Sequence, residues 1–210
     1  MIYLKENQKS MDAVIFDLGN VLLDYSPRRF LGEIGIHPEV HDRIAAVLFE
    51  DAATWTELDR GTITNAELIE IAAGKEPLLR NEIKKYVREW PYFFNAIPEN
   101  IAALYRIKEA GAKVYVLSNF AIEVFKIEQK RNSFLADFDG LIISSEHHLI
   151  KPQPEIYRLL IEKFQLNPER SVFIDDIEEN ANAALRAGLN VIHLPARSAV
   201  APYFILPEPD

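Results

Sequence analysis

The sequence contains no cysteine. Disulfides, thiolate nucleophiles and zinc–thiolate centres are therefore excluded, and any metal must be held by oxygen or imidazole. Positive charge is also scarce. The 23 lysines and arginines face 32 acidic residues, a formal net charge of -9. A nucleic-acid backbone would be repelled unless a local basic patch existed. Neighbouring basics such as Lys84-Lys85 and Lys130-Arg131 sit among carboxylates, as on solvated helix faces. No apolar run approaches the length that spans a bilayer, so neither nucleic acid nor membrane is an expected partner. The stretch from Met1 to Ser10 lacks the apolar core of a secretion signal, which makes a cytoplasmic location the expectation.

What is present is an ordinary globular composition, 49% apolar and 26% charged over 210 residues. That length fits one α/β domain with an insertion, or two small domains, and buries a sizeable core without staples. The run Ala13 to Phe16 is continuously apolar and ends abruptly at Asp17. Similar runs cover Val114 to Leu117, Leu141 to Ile143, Val172 to Ile174 and Val191 to Leu194. Such runs suit strands buried on both faces of a parallel sheet. Helical patterns separate most of them: Pro98 opens one that stops at Gly111, Pro154 opens another, and a third covers Glu178 to Ala187 before Gly188. Alternation of this kind predicts an α/β fold with a Rossmann-like, doubly wound parallel sheet.

Residues 24–96 read differently. They have helical periodicity without a strong strand, with Ser26-Pro27 as a cap and first turn and Thr64 to Glu67 as a capping box. The expected organisation is a catalytic core from 11–23 and 97–210, with an α-helical cap inserted at 24–96 above the carboxyl edge of the sheet.

Four features fall at strand ends. Asp17 precedes Leu18-Gly19-Asn20-Val21, which places a carboxylate in a crevice; its bland alternative is a turn residue. Ser118-Asn119 can grip a phosphoryl oxygen through hydroxyl and backbone N–H groups, or simply cap a helix. Lys151, in Lys151-Pro152-Gln153-Pro154, adds positive potential near a helix N-terminus, or is a solvated surface lysine. Asp175-Asp176 are adjacent carboxylates that repel unless a cation is present, and such hard oxygen ligands suit Mg2+.

Together these residues resemble the haloacid dehalogenase superfamily, in its phosphatase-rich branch with a small helical cap. Asp17 matches the family nucleophile, Ser118 the second motif, Lys151 the third and Asp175-Asp176 the fourth, acidic one. The stretch Phe16 to Val21 is most similar to sugar-phosphate phosphatases related to α-glucose-1-phosphate phosphatase. The resemblance implies a Mg2+-dependent phosphatase of a small phosphorylated metabolite, with sugar phosphates as one class. Asp17 would form an aspartyl-phosphate. Mg2+ would bind Asp17, the carbonyl of Gly19, Asp176 and, directly or through water, Asp175. Ser118, Asn119 and Lys151 would hold the substrate.

One position departs from that pattern. Most phosphatases of the superfamily carry a second Asp two residues after the nucleophile, where this chain has Gly19. Losing a positioned general acid costs about 100- to 10,000-fold in rate. Asp59 and Glu57 are the candidate replacements, Asp59 the preferred one. The alternatives are a 2-haloacid dehalogenase-type hydrolase, whose leaving halide needs no proton, and a non-catalytic relic. The acidic pair, unneeded for dehalogenation, favours the phosphatase.

Other residues are expected to be structural. His37 and His41 have metal spacing without a third ligand. His147-His148 lie near the site in sequence, Arg28, Arg29 and Arg60 are expected in ion pairs, and Trp90 to Phe94 is expected to pack the cap on the core.

Overall fold

The structure is a computed structural model, which describes residues 1–206; the last four residues of the expected core segment lie outside the described residues. In chain order the strands are β1 (Ile2–Leu4), β2 (Ser10–Met11), β3 (Ala13–Phe16), β4 (Leu23–Asp24), β5 (Asn95–Ala96), β6 (Lys113–Ser118), β7 (Gly140–Ile143), β8 (Ser171–Asp175), β9 (Asn190–His193) and β10 (Phe204–Ile205). The helices are α1 (Pro27–Glu33), α2 (His41–Val47), α3 (Ala52–Arg60), α4 (Asn65–Lys75), α5 (Arg80–Glu89), α6 (Pro98–Glu109), α7 (Ile122–Arg131), α8 (Ser144–His147), α9 (Pro154–Phe164) and α10 (Glu178–Arg186).

Five strands form a parallel sheet in the order β7-β6-β3-β8-β9. Each of the five apolar runs forms one of them, and helices cover both faces, as the alternation predicts. Period-two geometry divides the strand residues. Val14, Phe16, Val114, Val116, Val172 and Ile174 enter one core, shared with α6 and the helical segment. Ile15, Tyr115, Leu117, Ile142 and Phe173 enter a second, closed by α9 and α10. Both faces are dry, which is why the runs lack polar alternation. The short β1, β2 and β10 make a separate antiparallel sheet in the order β10-β1-β2.

The helix punctuation is realised. Pro98 and Pro154 occupy first-turn positions, and Thr64 with Glu67 closes a reciprocal capping box. Ser26 precedes α1 but makes no side-chain cap bond. Asn100, fully buried at the start of α6, donates to the carbonyls of Val21 (2.7 Å) and Ser198 (2.9 Å) and accepts from the Val200 amide (2.9 Å). It ties the loop after β3 to the late segment and leaves none of its polar atoms orphaned.

Between β3 and β6 the chain departs into α1 to α5. It leaves and returns through β4 and β5, which pair antiparallel, Leu23 with Ala96 and Asp24 with Asn95. The five helices bury Phe30, Leu31, Ile44, Leu58, Leu68, Ile83 and Tyr86 in a core continuous with one face of the sheet.

Candidate active site

Parallel register brings three strand ends side by side. Phe16 on central β3 pairs with Val116 of β6 and Ile174 of β8, so Asp17, Ser118 and Asp175 emerge together at the carboxyl edge. From β3 the chain first adds β6 and β7 on one side and then β8 and β9 on the other, and open α/β sheets form their ligand crevice at such a reversal of strand order.

After Asp17 the chain turns sharply. The Leu18 carbonyl accepts from the amides of Leu22 (2.9 Å) and Leu23 (2.8 Å), and Asn20 adopts a left-handed φ of 55°. Asparagine tolerates that region better than branched residues do. Its Nδ2 then donates to Asp176 Oδ2 at 3.0 Å, while its Oδ1 accepts from the Tyr25 amide at 3.2 Å. Asn20 therefore links the loop after β3 to the acidic pair. The sequence signal for it was only the Gly-Asn turn.

Lys151 is 3% exposed, not solvated. Its Nζ lies 2.6 Å from Asp175 Oδ2 and 2.9 Å from Asp17 Oδ1. Burial alone would lower its pKa, but the two carboxylates outweigh burial and raise it, so it stays charged. Its backbone is held by Asn119, which accepts from the Lys151 amide (2.8 Å) and donates to the Lys151 carbonyl (3.0 Å). The Asn119 side chain, expected at the substrate, is engaged in positioning the lysine. Neither Ser118 nor Asn119 caps a helix, because α7 starts at Ile122 with Ala121 as its N-cap.

Asp175 is fully buried and its oxygens are engaged. Besides Lys151, it accepts from the Ile177 amide (2.8 Å) and from Asn180 Nδ2 (3.1 and 3.2 Å). It orients Lys151 and contributes charge to the site, while the open carboxylate oxygens belong to Asp17 and Asp176. Sequence reasoning missed Asn180, whose role depends on the α10 turn facing back to the strand end.

Asp17, Asp175 and Asp176 each place a carboxylate oxygen within 4.8 Å of the others. Three carboxylates thus face one ammonium. Asp17 Oδ1, although near Lys151 Nζ, is buried without an aligned hydrogen bond. Burial, then the neighbouring Asp175, push the Asp17 carboxyl above its ordinary range, against Lys151 and the Ser118 hydroxyl that hydrogen-bonds it. Burial likewise raises Asp176. A hard divalent cation fits this orphaned oxygen and surplus negative charge.

Opposite, Asp59 sits near the carboxyl end of α3. It is half-buried and lines the same cleft as Asp17, Gly19, Lys151 and Asp176. Burial first, then the charge of Asp17, push its carboxyl up to about 7. Its position is fixed by direct packing of α3 on α8. The Ser144 hydroxyl donates to the Asp59 carbonyl at 2.5 Å and accepts from the Phe120 amide at 2.9 Å. Gly61 ends α3 with φ at 75°, and a Cβ there would fall 2.5 Å from the Ser145 carbonyl oxygen. Arg60 donates to Gln153 Oε1 (3.0 Å), and His148 Nδ1 lies 3.2 Å from the Arg60 carbonyl. Glu57 instead binds Thr62 and does not line the cleft.

None of the arginines and histidines named as candidates lines the cleft. Arg28 pairs with Asp42 and Glu50, and Arg29 with Asp24 and Glu33. His41 Nε2 meets the Ile36 carbonyl at 2.8 Å, and the one acidic or histidine cluster of metal-binding geometry among the described residues contains no histidine. Neither His147 nor His148 lines the cleft. Trp90 and Phe94 do line it, besides packing.

The chain is 24% identical to a sesquiterpene phosphatase from Aspergillus oryzae, over 87% of this chain and 89% of that protein. It is 25% identical to a phosphorylated carbohydrates phosphatase from Thermotoga maritima, over 87% and 84%. Its fold is similar to that of a haloacid dehalogenase family enzyme from Bacteroides thetaiotaomicron solved with magnesium and inorganic phosphate. The TM-score is 0.73 at 22% identity, over 92% of this chain and 98% of that one. A family profile described as haloacid dehalogenase-like hydrolase matches residues 11–188, a span that runs from the strand bearing Asp17 past the acidic pair. With the match extending through every strand end that builds the cleft, this chain belongs to the haloacid dehalogenase-like hydrolases.

Proposed function

We propose that the protein is a Mg2+-dependent phosphatase of a small phosphorylated metabolite, working through an aspartyl-phosphate on Asp17. The observation that carries this is Lys151 held between Asp17 and Asp175, beside an acidic trio one cation short of balance. Phosphatases among the relatives, on a sesquiterpene and on carbohydrates by name, support the reaction class.

The Asp17 carboxylate attacks phosphorus in line, forming the Asp17 O–P bond as the ester O–P bond breaks. Ser118 and Lys151 bind the phosphoryl oxygens and hold them in position. Asp59 donates its proton to the departing alkoxide; as a carboxylate it then takes a proton from the water that attacks the aspartyl-phosphate, releasing phosphate and restoring Asp17. Gly19 has no proton to give, and Asp59 is poised near neutrality across the cleft. Asp17, Asp176 and the Gly19 carbonyl would hold Mg2+, which would supply the positive charge that lets an anionic nucleophile meet an anionic phosphoryl group. The segment 24–96 acts as the cap and brings Asp59 over the sheet edge.

Gly19 favours a second reading, a carboxylate-nucleophile dehalogenase, because halide leaves unprotonated. Halide departure needs neither a proton from Asp59 nor a cation at the open oxygen of Asp176, and these two features support the phosphatase. The test is a panel of phosphomonoesters and a 2-haloacid, with and without Mg2+, using wild type and Asp17→Asn. Mg2+-dependent phosphate release lost in the variant is expected. Chelator-indifferent halide release would replace the proposal with the second reading. A folded, Mg2+-binding protein inert on the whole panel would leave a binding relic.

A further inference from the structure

The cleft encloses about 380 Å³, and its polar groups are unevenly placed. The side-chain amides at the sheet edge are engaged, Asn20 with Asp176, Asn119 with Lys151 and Asn180 with Asp175, which leaves the open oxygens of Asp17 and Asp176 facing the phosphoryl end. The opposite wall is an aromatic belt of Tyr25, Phe49, Trp55, Trp90, Phe94 and Phe120. The rings touch in sequence. Trp55 lies 6.2 Å from Phe49 and 5.3 Å from Trp90, Trp90 lies 5.4 Å from Phe94, and Phe94 lies 5.5 Å from Phe120 and 5.7 Å from Tyr25. Asp59 is the one charged side chain on this wall.

Trp55 and Asp59 are one helical turn apart on α3, so both face the cleft. The hydroxyls of a polyol would lose water against this wall, with few groups able to replace it. Besides Asp59, the wall's polar groups are the Tyr25 hydroxyl and the Trp90 indole N–H, the latter buried without a hydrogen-bond partner. An apolar chain, by contrast, gains from every carbon buried.

Resting on the phosphatase reading, we infer that the substrate is the phosphomonoester of an apolar alcohol rather than of a sugar, its hydrocarbon lying along the Phe49–Trp55–Trp90–Phe94 belt. At roughly 30 Å³ per heavy atom, the share a water molecule takes in the liquid, the cleft holds about a dozen heavy atoms. The phosphoryl group takes four or five, leaving room for about eight carbons. Trp55 is then the specificity-determining residue.

Both tryptophans of the chain line this cleft, so intrinsic fluorescence reports its occupancy. The experiment titrates wild type in Mg2+ with n-alkylphosphonates of two to ten carbons and with glucose 1-phosphate, and measures phosphate release from the matching alkyl phosphates. The expected result is a Kd that falls about three- to fourfold per methylene, levelling near eight carbons, with glucose 1-phosphate weaker than the hexyl compound. In Trp55→Gln the chain-length slope flattens, with the loss concentrated in KM for the longer esters. A Kd independent of chain length, or a sugar phosphate that binds as tightly as the octyl compound, overturns the inference. Chain-length-dependent binding without hydrolysis of any ester would instead sink the phosphatase reading and leave the apolar site standing.

Discussion

Asp59 shares its cleft with Asp17, and burial together with the charge of Asp17 holds its carboxyl protonated up to about pH 7. A residue on a helix between β3 and β6 thereby acquires an acidity that Gly19, two positions after Asp17, cannot supply. Environment and not residue type separates the roles of the two carboxyls.

The first expected outcome concerns rate against pH. As the proton donor, Asp59 must be protonated in the free enzyme, so kcat/KM falls on the alkaline side with an apparent pKa of about 7. Asp59→Asn should lose this limb and about 100- to 10,000-fold in kcat for unactivated esters. An aryl ester with a good leaving group should suffer much less. Equal slowing of alkyl and aryl esters would remove Asp59 from the acid role.

Stability should carry the same signature. The Asp59 carboxyl titrates near 3.8 when unfolded and at about 7 when folded. Between those values the native state binds more protons, so stability falls as pH rises through the window. Asp59→Asn removes this penalty. Its Tm advantage over wild type should open above about pH 4 and level off above about pH 7. Melting curves at pH 4.5, 6 and 8 measure it, and a constant difference at all three would contradict the assignment.

Gly19 has room for a side chain. A Cβ built there meets Tyr25 Cβ at 3.9 Å and Asp17 Oδ2 at 4.0 Å, which is ordinary contact. Its φ lies outside the left-handed region that would demand glycine. Gly19→Asp should therefore fold, and in an Asp59→Asn background it should restore at least tenfold of the lost kcat. Absence of rescue in a folded double variant would show that the missing proton is not what limits the single one.

Among the described residues Lys151 is the sole cation between two buried carboxylates, so Lys151→Met leaves both without an ion-pair partner. Breaking such an arrangement costs about 3–5 kcal/mol, a Tm loss on the order of 10 °C for a chain of this size. The loss should shrink toward pH 5, where Asp17, already raised by burial, takes up a proton. Thermal melts at pH 5 and 8 test this. Activity should vanish at both.

Gly61→Ala adds a methyl group that would fall 2.5 Å from the Ser145 carbonyl oxygen, at a φ of 75°. The end of α3 must shift away from α8, and Asp59 with it. The expected result is a 10- to 100-fold drop in kcat/KM, about what a 1 Å misplacement costs, with Mg2+ affinity unchanged. Kinetics beside a Mg2+ titration followed by thermal shift separates the two. An equal loss of Mg2+ affinity would show that the damage reaches the sheet edge.

Much of this protein was readable in one dimension. Continuous apolar runs located all five parallel strands because burial on both faces leaves no place for polar alternation. Asp17, Ser118, Asp175 and Asp176 at strand ends, and Lys151 in the loop between α8 and α9, followed from the motif, and Thr64–Glu67 and Pro98 marked helix starts because caps are local interactions. Tertiary structure alone decided how those groups share their bonds. That Asn119 holds Lys151, that Asp175 is saturated while Asp17 keeps an orphaned oxygen, and that Asn20 reaches Asp176 all depend on which strand ends become neighbours. The aromatic belt joins Phe49, Trp55, Trp90 and Phe120 from separate stretches of chain, and Asp59 lies in the cleft on a helix whose end packs on α8 through the close approach at Gly61. Periodicity and caps act within a few residues, whereas a pKa or a cleft wall is set by what the fold brings close through space.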